Sequence, residues 1–224
     1  MKFILSRNDD YNRSKKWIVG YALLFWLITR IIATVIMTVC TAVYSAFDIE
    51  PEKLTNFAGS PQTHTFSLSI VIAMLLIAPL MEEGLFRLGL SFKKWQVALG
   101  FALIPLEILW ANLYGPVGYI VCLTSAAAIF FAITYFVPQE SLLFLKKHYL
   151  TAFMWLSSVA FGLLHLMAFS SLTATLLPYC ICVILFPFFG GCAIAYLRVN
   201  LGFWWGVALH IFNNIPPVLL MLAQ

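Results

Sequence analysis

Charge is scarce in this chain: Lys, Arg, Asp and Glu make up 10% of 224 residues, against 62% hydrophobic residues and a mean hydropathy of +0.95. Soluble domains are roughly 45–50% apolar, so that class is excluded and an integral membrane protein is left. The chain also has no Ser- or Gly-rich linker and no repeat of fixed period, and its one long polar connection runs over 48–65. The simplest organisation is therefore a short tail, 1–16, followed by a single membrane domain, 17–224. A basic stripe with interleaved aromatics is missing too, so the formal net charge of +4 does not point to nucleic acid. Cys40, Cys122, Cys180, Cys182 and Cys192 all fall inside apolar runs, and an odd, buried set argues against a disulfide framework. Cys180 and Cys182, two apart on a helix, face different ways and make a poor metal pair. The opening MKFILSRNDDYNRSKK has too short an apolar patch for a signal peptide and reads as a tail.

Apolar runs are what the chain has in abundance. Seven can be marked: Trp17 to Ala46, Phe66 to Phe92, Trp95 to Tyr114, Val117 to Val137, Tyr149 to Phe169, Leu172 to Leu197 and Leu201 to Ala223. Each approaches or exceeds the roughly 20 helical residues that cross a bilayer core. Helices satisfy their own backbone in lipid, and the alternation of barrel strands is lacking. The expected fold is an all-α polytopic membrane helix bundle of about seven transmembrane helices, or eight if a re-entrant segment is counted. Lys and Arg collect before the first run and after the second, fourth and sixth, as at Lys15, Lys93, Lys146 and Arg198. That bias places the N-terminus in the cytoplasm and the C-terminus outside, in the plasma membrane. Prolines within the runs, Pro79, Pro105, Pro178, Pro187, Pro216 and Pro217, predict kinks or broken turns.

Against this background, APLMEEGLFRLGL sets Glu82, Glu83 and Arg87 inside the second run. Ending the helix at Leu80 would leave about 22 Å, too short to span; continuing to Phe92 spans and buries the charges. A charge at mid-membrane costs about 2.5–3.5 kcal/mol on the lenient scale, so these residues need partners. Glu83 and Arg87, four apart, suit an ion pair along one helix face, which turns Glu82 about 100° away toward something else. His165, and His210 with Asn214 four residues on, lie in the fifth and seventh runs at depths that tilted helices would match to Glu82. Such a set suits hydrolysis. A carboxylate shielded from bulk water, with a neighbouring imidazole, takes a proton from water. An imidazole and a carboxamide on one face donate hydrogen bonds to a developing oxyanion. Ser157 and Ser158 carry no mark of an activated nucleophile. A metal version, with Glu82, His165 and His210 as ligands to zinc, stays open, although H-E-x-x-H is absent.

The order E-E-x-x-x-R (Glu82, Glu83, Arg87), F-x-x-x-H (Phe161, His165) and H-x-x-x-N (His210, Asn214) resembles the CAAX-protease and bacteriocin-processing family of intramembrane endopeptidases, known as CPBP or Abi. That family includes type II CAAX prenyl proteases and lysostaphin-resistance protein A-like proteins. The resemblance covers about 76–215, with Phe86, Ser157, Gly162, Gly190, Gly191 and Tyr196 as secondary cues. It implies Glu82 as general base on a water, His165 as its assistant, His210 and Asn214 as oxyanion donors, and Glu83 with Arg87 as organisers. It implies a membrane-associated peptide or a prenylated or leader-bearing protein as substrate, the lipid bilayer as surroundings, and no cofactor, zinc being the alternative. The chain departs from the pattern at Leu88, where glycine is usual, and in the two apolar runs between Arg87 and Phe161. Glu107, in the first of those runs, reads as a cavity-facing structural carboxylate. Two readings compete with proteolysis: a non-catalytic immunity or scaffold protein keeping the same fold, and a small ion or proton transporter.

Overall fold

The computed structural model describes residues 14–49, 68–110, 115–169 and 173–222. Most of the expected tail and nearly all of the polar connection 48–65 lie outside the described residues. Within them are seven long helices and no β-sheet. They are α1 (Lys15–Ala46), α2 (Leu68–Ser91), α3 (Lys94–Trp110), α4 (Gly115–Phe136), α5 (Gln139–Leu164), α6 (Leu177–Leu201) and α7 (Phe203–Leu222). All but α3 are long and apolar enough to cross a membrane, which fits an integral membrane protein. The described 17 residues of α3 reach about 25 Å.

Burial identifies the axis of the bundle. In the most apolar window of α1 only 11% is buried, whereas for α6 the share is 61%. Leu24, Ile28, Ile31 and Val35 of α1 stay exposed, as side chains bathed in lipid do. From Gly190 to Arg198 every residue of α6 is buried, enclosed by α1, α5 and α7. Small residues make this possible. At Gly162 of α5 a Cβ would come within 3.1 Å of Ile184 and 3.3 Å of its carbonyl oxygen, so α5 and α6 touch backbone to backbone.

Two boundaries differ from the expected ones. Helix α5 begins ten residues before Tyr149, because Pro138 sets an extended N-cap and Glu140 favours the first turn. Gln139 then ties this start to the α2–α3 turn: its Nε2 donates to the Phe92 carbonyl (2.9 Å) and its Oε1 accepts from the Lys94 N–H (3.1 Å). Helix α6 runs past Arg198 to Leu201, and Gly202, with φ of +111°, makes the abrupt turn into α7. Arg198 is consequently buried in the bundle and not in a loop. Its guanidinium donates to the carbonyls of Arg87 and Leu88 and to Gln96 Oε1, each at 3.1 Å, closing off the end of the α-helical part of α2. Among the expected kinks, Pro178 lies in the first turn of α6, where a missing N–H is harmless.

Gly162→Leu drives a side chain into the α5–α6 seam, where overpacking costs about 1–3 kcal/mol or more. Gly20, with nothing within 4 Å of a Cβ, is the control. Thermal unfolding in detergent should show a fall of several degrees for Gly162→Leu and little change for Gly20→Leu.

Candidate active site

The site starts from a defect in α2. Residues Ala73–Ile77 form a π turn, in which the Ala78 N–H reaches back five residues to the Ala73 carbonyl. In that register the next donor would be residue 79, bonding the Met74 carbonyl, but Pro79 has no N–H. The orphaned oxygen is met from another helix: Asn214 Nδ2 of α7 donates to it at 3.0 Å. The π turn also rotates Ala78–Arg87 relative to a straight helix, which sets the direction of the acidic pair.

Glu83 and Arg87 form the expected i,i+4 ion pair, and both side chains are fully buried. The guanidinium lies over the Phe161 ring, 4.4 Å from its centroid. Room for it comes from Gly191, where a Cβ would stand 2.7 Å from Arg87 Nη2. His210, 2% exposed, brings Nδ1 to 2.8 Å from Glu83 Oε1 and Nε2 to 3.3 Å from Glu82 Oε2. Arg87 and His210 share Glu83 Oε1, and an Nδ1–H donating to that oxygen leaves Nε2 directed toward Glu82. Gly206, one turn before His210, leaves the close approach open: a Cβ there would be 3.4 Å from Glu83 Oε2. Glu82 is the accessible member, its side chain 21% exposed. Glu83 Oε2, Arg87 Nε and Arg87 Nη2 are buried without a hydrogen-bond partner among the described residues, so the network has capacity for ordered water.

His165 arrives by a different route. It stands where α5 gives way to a 3₁₀ turn (His165–Ala168), and its Nδ1 bonds the Phe161 carbonyl at 2.9 Å. Its ring lies 5.1 Å from that of Phe161, which also packs edge-on against His210 at 5.4 Å and Phe86 at 5.6 Å. Phe161 thus joins both imidazoles and the Arg87 guanidinium. Among the described residues His165 makes no contact with Glu82; the imidazole touching that carboxylate is His210. Asn214 is on the α7 face toward α2, with one carboxamide donor engaged on Met74. Glu107 of α3 lies within electrostatic reach of Glu82.

One group escaped the motif reading. Asn213 Oδ1 accepts hydrogen bonds from Trp26 Nε1 (2.9 Å) and from the Arg30 guanidinium, both on α1. Arg30 lies within electrostatic reach of His165, so α1 contributes to the same region. The signal was in the sequence: Arg30 interrupts the first apolar run, and the cost argument applied to Glu82 applies to it equally.

The donors do not fit a metal as arranged. Both nitrogens of His210 face carboxylates, Nδ1 of His165 faces a carbonyl, and no group of three or more His, Cys, Asp or Glu converges with ligand geometry among the described residues. Neither a family model, a curated protein nor a solved structure gives a significant match to this chain.

The Met74–Pro79–Asn214 arrangement is open to a double-mutant cycle. Asn214→Leu leaves a buried carbonyl bare, a loss of about 1–3 kcal/mol. In a Pro79→Ala background residue 79 regains an N–H for the same oxygen, so the Asn214→Leu penalty should shrink by half or more. Equal penalties in both backgrounds, measured by unfolding in detergent, would break the link between the proline and the carboxamide.

Proposed function

We propose that this chain is an intramembrane endopeptidase of the CPBP type, hydrolysing a peptide bond of a membrane-associated peptide or protein with water as nucleophile. The observation that supports this reading is the chain of contacts Arg87–Glu83–His210–Glu82, which ends on the accessible carboxylate. Glu82 takes a proton from water as the water oxygen bonds the scissile carbonyl carbon. His210 Nε2 shares that proton, and the Glu83 carboxylate stabilises the imidazolium that results, as an orienting acid does in a hydrolase triad. The proton then passes to the amide nitrogen as the C–N bond breaks, so the two products leave and Glu82 is restored.

This geometry modifies the roles implied by the resemblance. His210, engaged by two carboxylates, serves as proton relay and not as an oxyanion donor. The second Asn214 N–H is the donor that would face the developing oxyanion, whereas His165, whose Nδ1–H donates to the Phe161 carbonyl, keeps Nε2 as an acceptor for the attacking water. No step is routed through a metal, because the ligand set is committed elsewhere. The Lys and Arg bias supports a cytoplasmic N-terminus and an external C-terminus in the plasma membrane. Prenylated or leader-bearing proteins, or bacteriocin precursors, fit a base approached from within the bilayer. A non-catalytic immunity or scaffold role draws support from the full burial of Glu83 and Arg87, which suits packing as well as catalysis.

Wild type and Glu82→Gln, reconstituted with a peptide library and read by mass spectrometry, separate these readings. The wild type should cleave, and the folded variant should lose about 100-fold or more, the share general-base catalysis commonly contributes. Undiminished cleavage by Glu82→Gln removes Glu82 as base, and loss on chelation restored by zinc would call for the metal-dependent version. Wild type that protects or binds a partner without cleaving anything favours the scaffold.

A further inference from the structure

Three arginines are placed inside the described bundle, and two have their charge or donors answered. Arg87 pairs with Glu83, and Arg198 is tied to two carbonyls and a glutamine side chain. Arg30 is different. Of its five N–H donors, the described structure shows one acceptor, Asn213 Oδ1; its other neighbours are the faces of Trp26 and Phe186, 5.9 and 5.3 Å from the guanidinium carbon. Among the described residues no carboxylate lies within ion-pair distance of it.

The side chain is nevertheless held in place. Asn213 Oδ1 is itself fixed by Trp26 Nε1, and Gly190 makes the space, since a Cβ there would come 2.8 Å from Arg30 Nη2. Escape to the membrane surface is out of reach. Arg30 sits near the middle of a 32-residue helix, about 22 Å of helix from either end, well beyond the length of an arginine side chain. The guanidinium is thus half-buried and fixed at mid-helix, with donors still open and no counter-charge among the described residues.

We infer that Arg30, positioned by Asn213, forms an anion-recognising subsite that receives a carboxylate carried by the substrate. A permanent anion removes the uncompensated charge on binding, whereas a neutral peptide carbonyl leaves it. Headgroup phosphates lie about 15 Å from mid-bilayer, so at this depth the anion belongs to a peptide. Asn213 is three residues from His210, about 4.5 Å along α7, and extended peptide advances about 3.3 Å per residue. The carboxylate therefore lies within a few residues of the bond facing Glu82. That placement rests on the proteolytic reading; the binding itself does not.

The test is equilibrium binding to the full chain carrying Glu82→Gln, in phosphatidylcholine nanodiscs, so that turnover does not intervene. The probes are dansyl-Ala-Leu-Leu-Val with a free C-terminal carboxylate and the same peptide as its C-terminal amide. The acid should bind about ten-fold more tightly, the factor one charge-assisted hydrogen bond supports. The preference should vanish when Arg30→Gln is added and largely persist with Arg30→Lys. Equal binding of acid and amide, including none by either, overturns the inference with Arg30 intact, so it is falsifiable even if Arg30→Gln does not fold. A preference that survives Arg30→Gln overturns it too. So does its erasure by phosphatidic acid in the nanodisc, which would assign the subsite to a lipid phosphate. A clear acid preference alongside wild type that cleaves nothing upholds the subsite and removes only the proteolytic reading.

Discussion

A carboxylate sealed in hydrocarbon organises the centre of this protein. The Glu83 side chain is fully buried, and it is answered by Arg87 four residues away and by His210 from another helix. Taking such ions out of water costs several kcal/mol apiece, and breaking a buried pair leaves the survivor's charge uncompensated. The position of His210 follows from that requirement: α7 must keep its imidazole against α2. Glu82 then meets the far nitrogen of the same ring, and this more accessible acid inherits the geometry imposed on its buried neighbour.

Close helix approach makes the arrangement feasible. Consecutive glycines of α6 serve two different arginines, Gly190 admitting Arg30 and Gly191 admitting Arg87. Gly206 of α7 does the same for the Glu83 carboxylate of α2. These residues contribute little packing area. Their effect is to let polar groups from several helices occupy one level of the bundle, with Phe161 as the shared apolar wall beneath both imidazoles and a guanidinium.

Much of this was legible in the sequence. The scarcity of charge fixed the solvent, the long apolar runs fixed helices, and the four-residue spacing of Glu83 and Arg87 fixed their pairing. The cost of charge at mid-membrane drew attention to the EE-x-x-x-R segment, whose Glu83 and Arg87 are buried and paired. Tertiary geometry was less accessible. Periodicity along each helix does not say which imidazole meets which carboxylate, and His210, not His165, touches Glu82. Arg198 sat at the end of an apolar run and read as a loop residue, because the backbone carbonyls it caps belong to a helix more than a hundred positions earlier. The π turn before Pro79 was visible only as a proline expected to disturb a helix; that a carboxamide from α7 would meet the orphaned carbonyl required the fold.

That carboxamide has a mechanical consequence. Where the backbone ladder of α2 is interrupted, its missing bond is supplied by α7, so parting the two helices would present a naked carbonyl to lipid tails. The α2–α7 seam is therefore fastened by a bond that α2 cannot make for itself, and the two helices resist separation as a unit.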